Sequence, residues 1–173
     1  SSILVLGGGP STSKLLESGN LPDVDYNWSL NKFFKNEKLP KIDLAVLGKE
    51  VDMFDSTLNE YIKNNSTNIV FEEDKENLNP DFPMGMSGEQ HLQKEFPMNT
   101  AFYKTRYASK LGIGSRMVLY SIFLGVDKIY TIGLDGLCLD NPDTHAFEND
   151  KSFPNWGLGY EDVYHLMKQQ YIV

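Results

Sequence analysis

Four short clusters in this sequence have the residue types and spacing to hold an anionic ligand and to move a proton. The first is Gly7-Gly8-Gly9-Pro10-Ser11, directly after the apolar run Ile3-Leu4-Val5-Leu6. Without side chains the backbone turns tightly and comes close to a phosphate. The amides of a following helix start then point at it, with the positive end of the dipole behind them. The cluster is neither G-x-G-x-x-G nor a Walker A loop, since no Lys-Ser/Thr pair follows, and a tight strand-to-helix connection would use the same residues. The second is Asn31. Its amide has two donors and an acceptor, which suits a ribose or a base edge, and it would equally serve as a helix N-cap.

The third cluster is Lys110-Leu111-Gly112-Ile113-Gly114-Ser115, a cation and two glycines leading into an apolar stretch. It reads as a second anion cradle or as a helix start that must pack closely. The fourth opens with Gly133-Leu134-Asp135-Gly136 and runs on to Asp143-Thr144-His145-Ala146-Phe147-Glu148. An Asp at a strand end pairs with sugar hydroxyls, and a His in the same loop serves as a general base or as a loop hydrogen-bonder. His91 and His165 have no such company. Other chemistries have no residues to carry them: there is no G-x-S-x-G elbow, no H-E-x-x-H and no His/Cys cluster at metal spacing. The lone D-x-D, Asp23-Val24-Asp25, precedes a strand, the wrong end for a metal on a nucleotide diphosphate.

These clusters need elements to position them, and the hydrophobic pattern supplies an alternation of strands and helices. Ile3–Leu6 is a continuous apolar run of the kind that is buried on both faces in a parallel sheet. A helix follows, with Ser11 or Thr12 as N-cap and Gly19 as its stop. Further strands are expected at 25–30, 43–48, 68–71 and 128–133. A short polar helix ends near Asn36, and helical periods run over 51–64, from about Thr100, over 116–124 and over 160–171. The 116–124 helix is apolar almost all round and is expected to be buried. From Glu72 to about Asn99, charges, prolines and glycines replace the pattern, as in a lid or an insertion. The expectation is one α/β domain over 1–173: a Rossmann-like, mostly parallel sheet with helices on both faces, plus a long irregular lid-like insertion. In such sheets ligands bind at the carboxyl ends of the strands, where all four clusters fall.

With 173 residues, 40% of them hydrophobic, the chain is long enough for a real core. Its formal net charge of −8, without a basic patch, argues against nucleic acid as a partner. A single cysteine, Cys138, reads as structural in a reducing, cytoplasmic compartment. The most apolar run, 117–126, is too short to span a bilayer, so any membrane association is peripheral, at the inner face. Tyr171-Ile172-Val173 falls mid-pattern, as in a chain truncated at its C-terminus, and its apolar residues would suit a subunit contact in a homo-oligomer.

In order, GGGPS, SLNKFF, GIGSRMVLYSIFLGVDKIYTIGLDG and DTHAFE resemble the bacterial lipooligosaccharide sialyltransferases. The G-x-D and T-H-A segments are also similar to the motility-accessory-factor group of flagellin glycosylation. The resemblance covers most of the chain and is strongest from Gly112 to Glu148. It implies a metal-independent, sialyltransferase-like glycosyltransferase of surface-polysaccharide biosynthesis. The donor would be a nucleotide-activated sugar, CMP-linked, with a glycan as acceptor and no further cofactor. Gly7, Gly8, Gly9, Pro10 and Ser11 would hold the phosphate together with Gly112, Gly114 and Ser115. Asn31 and Asp135 would contact the nucleotide. Lys110 would take the place of an active-site Arg, and His145 that of a phosphate-contacting Tyr, here as the catalytic base. The chain departs from that pattern at Gly8 and at Gly48, each standing where an Asn is expected. Gly112-Ile113 replaces Thr-Ser, and Gly157-Leu158-Gly159 stands where the family has a G-H-S segment with its catalytic His. Two other classes stay open: a pterin diphosphokinase-like transferase requiring Mg²⁺ and ATP, and a non-catalytic nucleotide-binding module of a glycan-assembly complex.

Overall fold

A computed structural model describes residues 1–48, 50–72, 87–103, 112–134 and 147. Its six strands are β1 (Ser2–Leu6), β2 (Tyr26–Leu30), β3 (Leu44–Val46), β4 (Asn68–Glu72), β5 (Thr100–Tyr103) and β6 (Lys128–Ile132). They form one parallel sheet in the order β5-β4-β3-β2-β1-β6. The helices are α1 (Pro10–Ser18), α2 (Ser56–Asn65), α3 (Gly88–Glu95) and α4 (Ile113–Phe123). This is the Rossmann-like α/β arrangement that the alternating pattern implies.

Side chains alternate along each strand, so β1 feeds two cores. Leu4 and Leu6 pack with Phe33, Leu58, Ile62 and Leu92 on the side of α2 and α3. Ile3 and Val5 pack with Trp28, Val46 and Met117 on the side of α4. Phe147, from the DTHAFE segment, is buried in the first of these cores. The chain lays down β1 to β5 in one direction and then returns to place β6 on the other flank of β1. The connections therefore diverge between β1 and β6, the switch point where open α/β sheets bind ligands.

Several expectations are corrected. The segment from Thr100 is a strand, not a helix: Thr100–Tyr103 pairs with β4 in the register Ile69↔Thr100 and Phe71↔Phe102. Part of the expected irregular insertion is α3, a crossover helix that opens with a reciprocal capping box between Ser87 and Gln90. The helical period over 51–64 forms a helix only from Ser56, because Asp55 caps it by accepting from the Thr57 amide at 2.8 Å. At the start of α1 the N-cap is Gly9, not Ser11 or Thr12, and Pro10 takes the first helical position. Nor is α4 buried all round. Met117 and Ser121 face the sheet, while Ile122, Phe123 and Leu124 are exposed, since a helix lying on a sheet covers only one stripe of its surface. The expected helix over 160–171, Cys138 and Tyr171-Ile172-Val173 lie outside the described residues. Among the described residues no helix is long and apolar enough to cross a membrane.

Candidate functional site

The carboxyl ends of β1, β2, β3 and β6 and the start of α4 meet at one edge of the sheet. Past the end of β1, pairing with β6 continues into the glycine turn: the Gly7 amide donates to the Ile132 carbonyl and the Gly9 amide to the Gly133 carbonyl, both at 2.8 Å. Two hydroxyls from the first turn of α1 complete the junction. Ser11 Oγ accepts from the Gly133 amide at 2.8 Å, and the buried Thr12 Oγ1 donates to the Gly7 carbonyl at 2.6 Å. That is why neither hydroxyl caps its own helix. The two turns touch so closely that a methyl group on Gly7 would fall on the Gly133 carbonyl oxygen. Gly133 has φ +72°, and a methyl group there would fall on Thr12 Oγ1.

The start of α4 is seated across this edge. Its N-cap is Gly112, and the Leu134 side chain lies against both Gly7 and Gly114. One residue away, the Ile113 side chain reaches over Gly48 at the end of β3 and occupies the space a side chain there would need. Gly48 and Ile113, two of the positions singled out in the sequence as departures from the resemblance, thus lie against each other. An apolar branch fills the gap where two polar side chains are expected. Ser115 Oγ, in the first turn of α4, is buried and has no hydrogen-bond partner among the described residues. Tyr120 of α4 packs tilted against both Tyr103 and Trp28, with ring centroids 4.5 and 5.8 Å apart, and burial raises the pKa of its phenol.

Asn31 is not a helix N-cap. It sits in the left-handed region at φ 48°, and its side chain turns toward β3. Its backbone amide donates to the Val46 carbonyl at 3.0 Å, and Oδ1 accepts from the Gly48 amide at 2.9 Å. Its Nδ2 donates to Glu50 Oε1. Glu50 therefore joins the site, and nothing in its local sequence announces it. Phe54, at the approach to α2, is exposed and stacks on His91 of α3 at 4.6 Å, giving that histidine a partner as well.

Of the residues singled out in the sequence, Gly7, Gly8, Gly9, Pro10, Ser11, Asn31, Gly112, Gly114 and Ser115 are brought to this one edge. Lys110, Asp135, His145 and Gly157-Leu158-Gly159 lie outside the described residues. The geometry also shows what the glycine turn can offer a ligand. The Gly7 and Gly9 amides and the Ser11 hydroxyl already serve the β1–β6 junction, Pro10 has no N–H, and the Thr12 amide turns back to the Gly9 carbonyl at 3.1 Å. At the start of α4 the Arg116 amide closes the first turn on the Gly112 carbonyl at 3.1 Å.

No protein-family model matches the chain, and no curated protein sequence does. Its fold is similar to that of a solved structure of the sialyltransferase CstII from Campylobacter jejuni in complex with a substrate analogue, cytidine-5'-monophosphate. The TM-score is 0.57 and the identity 17%, over 99% of this chain and 77% of that one. It is also similar to the sialyltransferase CST-II in complex with a trisaccharide acceptor and CMP, with a TM-score of 0.55 and 16% identity, over 100% of this chain and 79% of that one. At these identities the likeness establishes a sialyltransferase-like fold.

Proposed function

We propose that the chain, built on a sialyltransferase-like fold, binds a nucleotide-activated sugar at the carboxyl edge of its sheet and transfers the sugar to a glycan acceptor. The observation that carries this reading is the convergence of the Gly7–Ser11 turn, Asn31 and the start of α4 at the β1–β6 switch point. CMP is the favoured nucleotide, in keeping with the ligands of the structural neighbours. The reaction is metal-independent and takes place in the cytoplasm. The donor phosphate lies against the glycine turn, Gly112, Gly114 and Ser115, while Asn31 and Asp135 hold the nucleoside and sugar. The acceptor hydroxyl attacks the anomeric carbon as the bond from that carbon to the phosphate oxygen breaks. His145 takes the hydroxyl proton, and Lys110 stabilises the charge left on the phosphate.

A second reading, a nucleotide-binding module without turnover, draws support from Ile113 over Gly48, which leaves the site less polar than the resemblance implies. A thermal-shift panel of CMP, CDP, UDP, GDP and ATP, with Mg²⁺ or EDTA, is the first test. At a hundred times its dissociation constant a ligand specific for the folded state stabilises by about 2.7 kcal/mol, a shift of several degrees at this chain length. A shift with CMP that is indifferent to EDTA is expected, and a response to ATP with Mg²⁺ alone would sink the proposal. Transfer from a CMP-sugar, abolished in His145→Ala with CMP binding kept, separates the enzyme from the module.

A further inference from the structure

We infer that Phe54 and His91 form a subsite for the glycan acceptor, a stacked platform that takes the ring of a neutral sugar. The inference rests on the sugar-transfer reading above and adds to it two residues that have no part in the nucleotide site.

The platform is built by the packing beneath it. In an all-parallel sheet the crossover helices run against the strands, so the segment after β3 and the start of α3 both lie at the carboxyl edge. Met53, in the segment that leads from Gly48 to α2, is buried. The first turn of α3 comes so close to it that a methyl group on Gly88 would fall 2.8 Å from Met53 Cβ. The capping box of Ser87 and Gln90 fixes that turn, and the Asp52 carboxylate accepts from the Phe54 amide at 3.0 Å. Phe54 and His91 are thereby brought face to face, with ring centroids 4.6 Å apart and planes 26° from parallel. The imidazole covers one face of the Phe54 ring, yet 56% of the residue stays exposed. A phenylalanine scattered singly on a surface is ordinary. This one is stacked, is held by the packing below it, and stands in the segment that begins beside Asn31 and Ile113.

The chemistry of such a platform selects its ligand. The face of an aromatic ring is apolar and electron-rich, and it suits the C–H face of a sugar ring. The imidazole adds what hydroxyls at the rim need. Neither of its nitrogens is bonded to a described residue, and the neutral ring has one donor and one acceptor. Segments 51–55 and 87–91 carry three carboxylates, Asp52, Asp55 and Glu89, and no Lys or Arg, so an anionic sugar is repelled. Nor are Asp52 and Asp55 aimed at a cation over the ring, since they accept from the amides of Phe54 and Thr57. A neutral ring fits both constraints. The platform stands beside β3 and β4, two and three strands from β1, so it meets a sugar of the acceptor away from the hydroxyl that reacts.

Saturation-transfer NMR with methyl β-galactoside, methyl β-glucoside and methyl β-N-acetylglucosaminide tests this, in the absence and presence of CMP. Methyl β-glucuronide and choline are the anionic and cationic controls, and CMP binding is measured on the same samples. Wild type should bind at least one neutral glycoside through its ring C–H protons, more tightly than either control. Phe54→Ala and Phe54→Leu should weaken that glycoside by about three- to tenfold with CMP still bound, the loss of one aromatic contact. Phe54→Tyr, which keeps the ring face, should retain it. His91→Phe keeps the stack without the donor and acceptor, and should fall between. Phe102→Ala, at the exposed phenylalanine of the β5 edge, should change nothing. A wild-type chain that binds CMP and none of the neutral glycosides would overturn the inference and leave the nucleotide site standing. So would a glycoside held equally well by Phe54→Ala, or a preference for the glucuronide or choline. Glycoside binding that depends on Phe54 in a chain that does not bind CMP keeps the platform as a sugar site and sinks the transfer reading instead. Binding of neither overturns both.

Discussion

The two edges of the sheet use glycine for opposite reasons. At the amino edge Gly19, at φ +68°, ends α1, and nothing lies within 4 Å of where its side chain would be; the residue is there for its backbone conformation alone. At the carboxyl edge a methyl group on Gly7 or Gly133 would fall on the backbone of the other turn, because strand ends from distant parts of the chain press together there. One on Gly48 or Gly114 would have to displace the tip of Ile113 or Leu134. The contrast teaches that the glycine-rich edge is first a packing device. Its closeness brings the Gly7–Ser11 turn, Asn31 and α4 within reach of one ligand, and it also uses up backbone donors that a free glycine loop would have offered.

The comparison breaks most sharply at Gly133. Gly133→Ala adds left-handed strain to a collision with Thr12 Oγ1 and the Gly7 carbonyl, together about 3 kcal/mol, or a melting point lower by about 10 °C. Gly19→Ala should cost only the conformational part, about 1 kcal/mol. Equal losses in the two variants by denaturant titration would show that the carboxyl edge is not close-packed. Gly48→Asn comes next, at about 2 kcal/mol, because the new side chain displaces Ile113. Combined with Ile113→Ser, it should cost less than the sum of the two single changes by about 1 kcal/mol. Strict additivity in that double-mutant cycle would mean that the two departures from the sialyltransferase pattern are independent. Thr12→Val should cost about 1–2 kcal/mol, since the Gly7 carbonyl loses its buried partner; no loss would point to a water in its place.

The smallest effect belongs to the amino edge. Asp25 accepts from the Ser2 amide at 2.7 Å and from Ser2 Oγ at 3.1 Å, and the backbone bond foremost holds its carboxyl below the usual carboxylate range. A carboxyl whose folded pKa is depressed contributes stability above its unfolded pKa and loses it as pH falls through the folded one. Asp25→Asn should therefore flatten the acid limb of the stability profile slightly, by removing near neutral pH the small contribution that wild type has already lost at low pH. An equally steep acid limb in the variant would show that Asp25 has no part in it.

Much of this architecture was legible in the residues because its signals are local. Apolar runs such as Ile3–Leu6 and Asn68–Phe71 are long enough to mark buried strands, and the glycine turn follows directly from the first of them. The capping box Ser87-x-x-Gln90 was equally local, yet it was hidden in a stretch dominated by prolines and charges. β5 was harder: Thr-Ala-Phe-Tyr is a short piece whose strand character comes from pairing with β4. Ser11 and Thr12 were misread as caps because their actual partners, Gly133 and Gly7, lie across the strand ends rather than in their own helix.

By itself the sequence determined the alternation of strands and helices, the parallel sheet and the places where ligand-binding residues could stand. Those follow from periodicity and turn chemistry, which act over a few neighbouring residues. Only the tertiary structure decided what the site residues do with one another. It alone shows that Ile113 fills the space beside Gly48, that Ser11 accepts from Gly133, and that Asn31 spends both ends of its amide on Gly48 and Glu50. Such partners are set by how closely strand ends and a helix start approach across the sheet, and hydrogen-bond distances of this kind leave no periodic trace along the chain.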